Sequence, residues 1–231
     1  MLKIADLTRF SLQDFPGRTA CIIWFAGCNM CCRYCHNITL LRQTTGFLTE
    51  QMIFDFLKSR TGLVDGVVLS GGECTLGGYE LIEFAKKIKK FGFKIKIDSN
   101  GLNLSLIEKF INESLVDFIA LDYKSPREKF DFITNTKGQF DIFVKTLDFV
   151  IKNTSIEKEI RTTVHTDLLN EDDINNIFKH LEELGYNGVF YLQNFRNDNG
   201  MVTGLGEQKF RLNREKIYIP KLFEVKYRNF F

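Results

Sequence analysis

Proline is scarce in this chain of 231 residues, which has only Pro16, Pro126 and Pro220. With no proline-rich stretch, low-complexity segment or repeat of solenoid period, neither a long linker nor a repeat array is expected. No run approaches the ~20 apolar residues that a membrane helix needs. The opening Met-Leu-Lys-Ile-Ala-Asp lacks the apolar core of a secretory signal. A surplus of one charge is missing too, with 31 Lys and Arg against 29 Asp and Glu. That balance removes any general electrostatic case for nucleic acid or anionic lipid. The expectation is a cytoplasmic protein with no membrane or nucleic-acid partner. The 23 phenylalanines are read as compositional bias, not as function.

Cysteine is absent after Cys74. Five of the six lie between Cys21 and Cys35. A disulfide scaffold spreads its bridges through a short secreted chain, and this pattern does not. Clustered thiols read instead as a metal or redox site in a reducing compartment.

Short apolar runs alternate with segments of helical period. Strands are expected at 20–25, 66–70, 93–97, 117–121, 159–164 and 189–193, and helices at 50–58, 79–91, 105–113, 140–152 and 171–184. Near-continuous apolar strands suit a parallel sheet covered on both faces. Asn170 reads as a helix N-cap and Gly185 as the residue just past the helix end. About six β/α units predict an α/β fold, a partial (β/α)6 barrel, since a complete eight-unit barrel takes about 250 residues. A doubly wound open sheet is the alternative. In either, chemistry belongs at the C-terminal ends of the strands. One domain is expected over 1–231, with 206–231 as a C-terminal extension. That extension has seven Lys or Arg against three Glu, and suits either a solvated end that closes the barrel or a docking surface.

The first expected strand runs into Ala26-Gly27-Cys28-Asn29-Met30-Cys31-Cys32-Arg33-Tyr34-Cys35-His36-Asn37. Two frames are open: Cys28-x3-Cys32-x2-Cys35, or the paired Cys28/Cys31 and Cys32/Cys35. A structural zinc site prefers two pairs separated by an insert, and here the pairs abut. A thioredoxin-type pair lacks its helix-opening context. Three thiolates in one loop fit an iron–sulfur cluster that keeps one iron open to an outside ligand.

The frame Cys28-x3-Cys32-x2-Cys35, with Tyr34 before the last cysteine, resembles the signature of radical S-adenosylmethionine (SAM) enzymes. The longer run Phe25-Ala26-Gly27-Cys28-Asn29 to Tyr34-Cys35-His36-Asn37 is similar to the activating enzymes of glycyl-radical enzymes. With Ser11-Leu12-Gln13-Asp14-Phe15-Pro16-Gly17-Arg18, it resembles most the activators of anaerobic ribonucleoside-triphosphate reductase. The resemblance implies Cys28, Cys32 and Cys35 as ligands of a 4Fe–4S cluster. Cys31 is then a bystander, Cys21 a small buried hydrophobe, and Cys74 a substitution where relatives carry proline.

The later strand ends follow the same resemblance. Ser70-Gly71-Gly72-Glu73 alone is a common tight turn; the family uses Gly71, Gly72 and Glu73 at the methionyl amine of SAM. Asp98 and Asn100, in Asp98-Ser99-Asn100-Gly101, and Asp122 and Lys124, in Asp122-Tyr123-Lys124, match further SAM-binding positions, as does Tyr34. A Lys and an Asp converging on one pocket suit a zwitterionic ligand. Arg161 is expected to face the barrel interior, His165 to be structural or solvent-facing, and His180 to sit on a helix surface without function. Where some formate-lyase activators carry a histidine, this chain has Gln193 and Asn194.

The implied activity is reductive cleavage of SAM and removal of hydrogen from a glycine of a partner, an anaerobic ribonucleotide reductase. A reduced flavodoxin or ferredoxin-type donor would supply the electron. The other readings are an activator of a different glycyl-radical enzyme, a carboxy-deazaguanine synthase-like enzyme, and a non-enzymatic zinc module.

Overall fold

The computed structural model describes residues 1–196 and 205–230; Phe231, the last residue of the expected extension, lies outside them. One sheet has eight strands in the order β1 to β8 without reversal. They are β1 (Ile4–Ser11), β2 (Ala20–Phe25), β3 (Gly66–Gly71), β4 (Lys94–Ser99), β5 (Phe118–Asp122), β6 (Glu157–Val164), β7 (Val189–Asn194) and β8 (Glu224–Arg228). β1 runs antiparallel to β2, and each later neighbouring pair is parallel. A doubly wound sheet would reverse its order at a switch point, and this one does not. The partial barrel is therefore the architecture, open between β1 and β8 among the described residues. It has two strands beyond the six expected.

The helices α1 (Ile38–Arg42), α2 (Glu50–Lys58), α3 (Gly78–Lys90), α4 (Leu104–Asn112), α5 (Arg127–Thr134), α6 (Phe140–Lys152) and α7 (Glu171–Glu183) fill the crossovers. The apolar stripes of α2 to α7 are buried against the sheet, whereas α1 buries no residue. Leu81, Phe84, Ala85 and Ile88 of α3 are all buried at helical spacing. α7 starts with a capping box, in which Asn170 and Asp173 satisfy each other's backbone. It stops at Gly185, whose φ of 74° is open to glycine at little cost.

Side chains alternate across each strand, so the barrel has its own interior. Its floor is an apolar cluster of Phe15, Ala20, Ile22, Val68 and Phe118, packed against Trp24. Above it the inner face turns charged. Lys96 of β4 is 1% exposed, with its ammonium 5.6 Å from the Phe118 ring centre. Its Nζ lies 2.7 Å from Asp98 and 3.5 Å from Glu159. Asp98, Asp122 and Arg161 thus stand toward the C-terminal ends of their strands, above Lys96 and Glu159 on an insulated base.

β8 belongs to the segment expected to be a solvated end that closes the barrel or a docking surface, and it joins the sheet beside β7. Its Arg228 stacks 3.4 Å over the Tyr191 ring centre and donates to Gln193 Oε1 at 3.2 Å. Gln208 donates to Asn194 Oδ1 at 3.0 Å. The two amides at the end of β7 are thus oriented by the C-terminal segment. His165 is fully buried and pairs with the Gly206 carbonyl at 3.1 Å, a structural role. His180 departs from expectation. It is half-buried, with Nδ1 2.7 Å from the Tyr123 hydroxyl, because α7 packs over the aromatic group of Tyr123, Phe140 and Phe143.

Candidate active site

At the C-terminal ends of the strands lies a cavity of about 410 Å³, within the range of small-molecule sites. All eleven site residues singled out from sequence line it: Cys28, Cys32, Tyr34, Cys35, Gly71, Gly72, Glu73, Asp98, Asn100, Asp122 and Lys124. Cys21, Cys31 and Cys74 are not among the lining residues. Cys21 and Cys74 are fully buried elsewhere.

The loop after β2 presents the thiols. Burial pushes the Cys28 thiol up to about 11 and that of Cys32 to about 12, because a thiolate loses hydration there. Burial raises Cys35 as well. These thiols stay protonated until a metal takes the proton's place. Cys28 Sγ also accepts from the backbone of Met30 at 3.4 Å and the Asn100 amide at 3.7 Å.

The glycine turn lies directly against this loop. The Gly72 N–H donates to Phe25 O, and the Glu73 N–H to Gly27 O, both at 2.9 Å. A Cβ on Gly72 would come within 2.1 Å of Gly27 O, so only glycine allows the approach. Gly71 holds φ at 130°, another conformation that favours glycine. The Glu73 carboxylate is turned inward and is 2% exposed. Oε1 accepts from the Thr75 N–H and hydroxyl and from the Ser99 hydroxyl, and Oε2 from the Asn100 N–H at 2.7 Å. Burial still raises its pKa against those donors. Glu73 therefore ties the β3 turn to the end of β4, and the turn offers the cavity mostly backbone. Asn37, quoted in the loop motif without a role, donates to Gly71 O at 3.3 Å.

Another part of the lining is ionic. Asp122 Oδ1 receives Arg161 Nε at 2.8 Å and Oδ2 receives Lys124 Nζ at 3.0 Å. Burial opposes the Asp122 charge, but the two cations outweigh it and hold the carboxyl well below the usual range. Burial likewise works against the Lys124 charge, and Asp122 reverses the shift, raising Lys124 well above its ordinary value. Asp98 is lowered too, against burial, by Arg161 and Lys96; its Oδ2 also takes the Ser70 hydroxyl at 3.2 Å. This wall is built for a ligand carrying both an ammonium and a carboxylate. Tyr34 joins the walls, donating its hydroxyl to Lys124 O at 3.1 Å.

The Radical SAM superfamily model matches residues 22–184. A protein of Methanocaldococcus jannaschii described as a glycyl-radical enzyme activating enzyme is 33% identical over 187 residues, covering 78% of this chain and 75% of its own. The pyruvate formate-lyase-activating enzyme of Clostridium pasteurianum is 28% identical over 194 residues, covering 80% and 79%. Among solved structures, methylornithine synthase superposes with a TM-score of 0.63 at 20% identity, over 85% of this chain and 59% of that one. That likeness concerns the fold, and this chain spans only part of the larger protein.

Radical SAM enzymes work with a 4Fe–4S cluster and SAM, and the residues present fit both. Cys28, Cys32 and Cys35 all line the cavity, which Asp98, Asp122, Lys124 and Arg161 line as well, so it offers thiols for a cluster and charged groups for a second ligand. Among the described residues, no three Cys, His, Asp or Glu side chains are grouped to hold a single metal ion. No described helix is long and apolar enough to cross a membrane. With its family model over most of its length and a glycyl-radical activator as a relative along three-quarters of it, the chain belongs to the radical SAM superfamily, among the glycyl-radical enzyme activating enzymes.

Proposed function

We propose that this enzyme activates an anaerobic ribonucleoside-triphosphate reductase. In this reading Cys28, Cys32 and Cys35 ligate the 4Fe–4S cluster. Gly71, Gly72, Asp98, Asn100, Asp122, Lys124 and Tyr34 hold SAM, with Glu73 fixing the glycine turn. A cluster held there would supply the electron for reductive cleavage of SAM, the chemistry that hydrogen removal from a partner's glycine requires.

The chain's own residues do the rest. Lys124 gives a carboxylate its counter-charge, while Asp122 and Arg161 keep that ammonium in place. The backbone of Gly71 and Gly72 leaves room for close approach of an amine. The apolar floor under Lys96 keeps water from below. Residues 1–231 work as one domain, and 206–231 complete it through β8 and the orientation of Gln193 and Asn194.

One observation carries the reading: all eleven residues share one cavity in a barrel whose edge strands β1 and β8 do not pair among the described residues, which suits entry of a loop of a protein substrate. The choice of reductase rests on residues 11–18 and 25–37, and on Gln193 and Asn194 standing where some formate-lyase activators have histidine. A cytoplasmic setting and a reduced flavodoxin or ferredoxin-type donor go with it. The test is to mix the anaerobically reconstituted protein with the reductase, SAM and reductant and record the electron paramagnetic resonance spectrum. The expected result is a glycyl-radical doublet on the reductase. A doublet on pyruvate formate-lyase alone would redirect the assignment.

A further inference from the structure

The loop that carries the cysteines is neither strand nor helix along most of its length, so its buried backbone donors need acceptors from elsewhere. Three of its donors converge on the end of α5. The Cys31 N–H goes to Thr134 O and the Arg33 N–H to Ile133 O, each at 2.9 Å. Arg33 Nε goes to Phe132 O, also at 2.9 Å. These are three consecutive carbonyls of the last turn of a helix, which have no partner within the helix. Asn135 then leaves the helix in the left-handed conformation, with φ of 53°. The Arg33 guanidinium lies 3.9 Å over the Phe132 ring centre, close enough for a cation–π contact. A cation at the negative end of a helix dipole is favourable as well.

The order of the donors along the chain matters. Cys31 and Arg33 alternate with Cys32 and Cys35, so the positions seated on α5 are interleaved with the ones that face the cavity. Tyr34, one residue on, reaches Lys124 O. α5 itself begins at Arg127, three residues past Lys124. One short stretch, 122–134, therefore carries the ionic wall at its start and the seat of the cysteine loop at its end.

We propose that the C-terminal turn of α5 is a preformed seat for the cysteine loop, and that Arg33 is its positioning residue. Arg33 holds Cys32 and Cys35 at the cavity whether or not a cluster is bound. The loop then pays little ordering entropy when the cluster binds, and a bound cluster is slow to leave. This rests on the cluster ligands assigned above.

The test uses reconstituted holoenzyme challenged with an iron chelator, with Arg33→Ala, Arg33→Lys and Phe132→Ala beside the wild type. Thermal unfolding of the cluster-free proteins runs in parallel. Outer partners of metal ligands typically change metal retention by tenfold or more. Iron loss is expected to be about tenfold faster in Arg33→Ala, intermediate in Arg33→Lys, which keeps the charge but not the planar fork, and faster in Phe132→Ala. The cluster-free melting temperatures should stay close to wild type, because Phe132 is exposed and Arg33 is only partly buried. Unchanged iron loss in Arg33→Ala would overturn the proposal. So would a cluster-free melting temperature that falls in step with iron retention, since the role would then be general folding. A wild-type protein that takes up no cluster at all would instead defeat the ligand assignment, which separates the two failures.

Discussion

Replacing Cys32 with alanine is expected to leave the reconstituted protein with almost no iron, while Cys31→Ala keeps about four irons and matching labile sulfide per chain. The two cysteines are adjacent, yet the fold separates them. Cys32 lines the cavity with Cys28 and Cys35. Cys31 has its N–H fixed on Thr134 O, and its side chain is not among the lining residues. Losing one of three thiolates leaves a cubane with two protein ligands, too few to retain it against chelation. Iron and sulfide assays after anaerobic gel filtration decide the matter. Iron loss in both variants would select the paired frame, Cys28/Cys31 with Cys32/Cys35, and the reverse pattern would rule out Cys28-x3-Cys32-x2-Cys35.

Asp122→Asn is expected to be the most damaging change on the ionic wall. The carboxylate receives Arg161 at 2.8 Å and Lys124 at 3.0 Å. Asparagine leaves Lys124 without its counter-charge and Arg161 with only the longer contacts to Asp98 and Glu159. For a partly buried carboxylate that costs about 1–3 kcal/mol, or roughly 5 °C in melting temperature for a chain of this size. SAM binding should weaken as well, because Lys124 loses the contact that aims it.

The pH dependence follows from the sign of the shift. The folded-state pKa of Asp122 lies below its ordinary value. Its stabilisation is therefore complete above the unfolded value of about 3.9 and is lost only as pH falls toward the folded value. In thermal unfolding of cluster-free protein, the gap between wild type and variant should be equal at pH 8 and pH 6 and shrink only below about pH 4. A gap that closes between pH 8 and pH 6 would mean that Asp122 titrates near neutrality, against the geometry.

How much of this could be read from sequence differs by element. The strands that are apolar on both faces were the most legible, like β3, with Val67, Val68 and Leu69 all fully buried, whereas β4 and β6 set Lys96, Asp98, Glu159 and Arg161 between their apolar residues. The capped helix α7 was legible from Asn170 and Gly185. β1 and β8 were not, because each lies at an open edge and mixes polar with apolar residues: Asp6, Thr8 and Arg9 in β1, and Glu224, Lys226 and Arg228 in β8. α5 was missed for a related reason. It is eight residues long, and it owes its place to packing by Phe130 and Ile133 and to the cysteine loop seated on its last turn. The site residues stood out because their motifs recur at successive strand ends in chain order. What sequence could not show was how they are held. Glu73 spends both carboxylate oxygens on neighbouring loops. Arg161 joins Asp98 to Asp122 across two strands, and Arg228 reaches Gln193 from more than thirty positions away.

The central claim is that one cavity brings a cluster on Cys28, Cys32 and Cys35 together with SAM on the ionic wall. Its most direct test is to incubate the anaerobically reconstituted protein with SAM and a strong reductant and to measure 5′-deoxyadenosine and methionine. The two products should appear in equal amounts from protein holding about four irons per chain, and neither should form in Cys32→Ala. One zinc ion per chain with SAM left intact would contradict it.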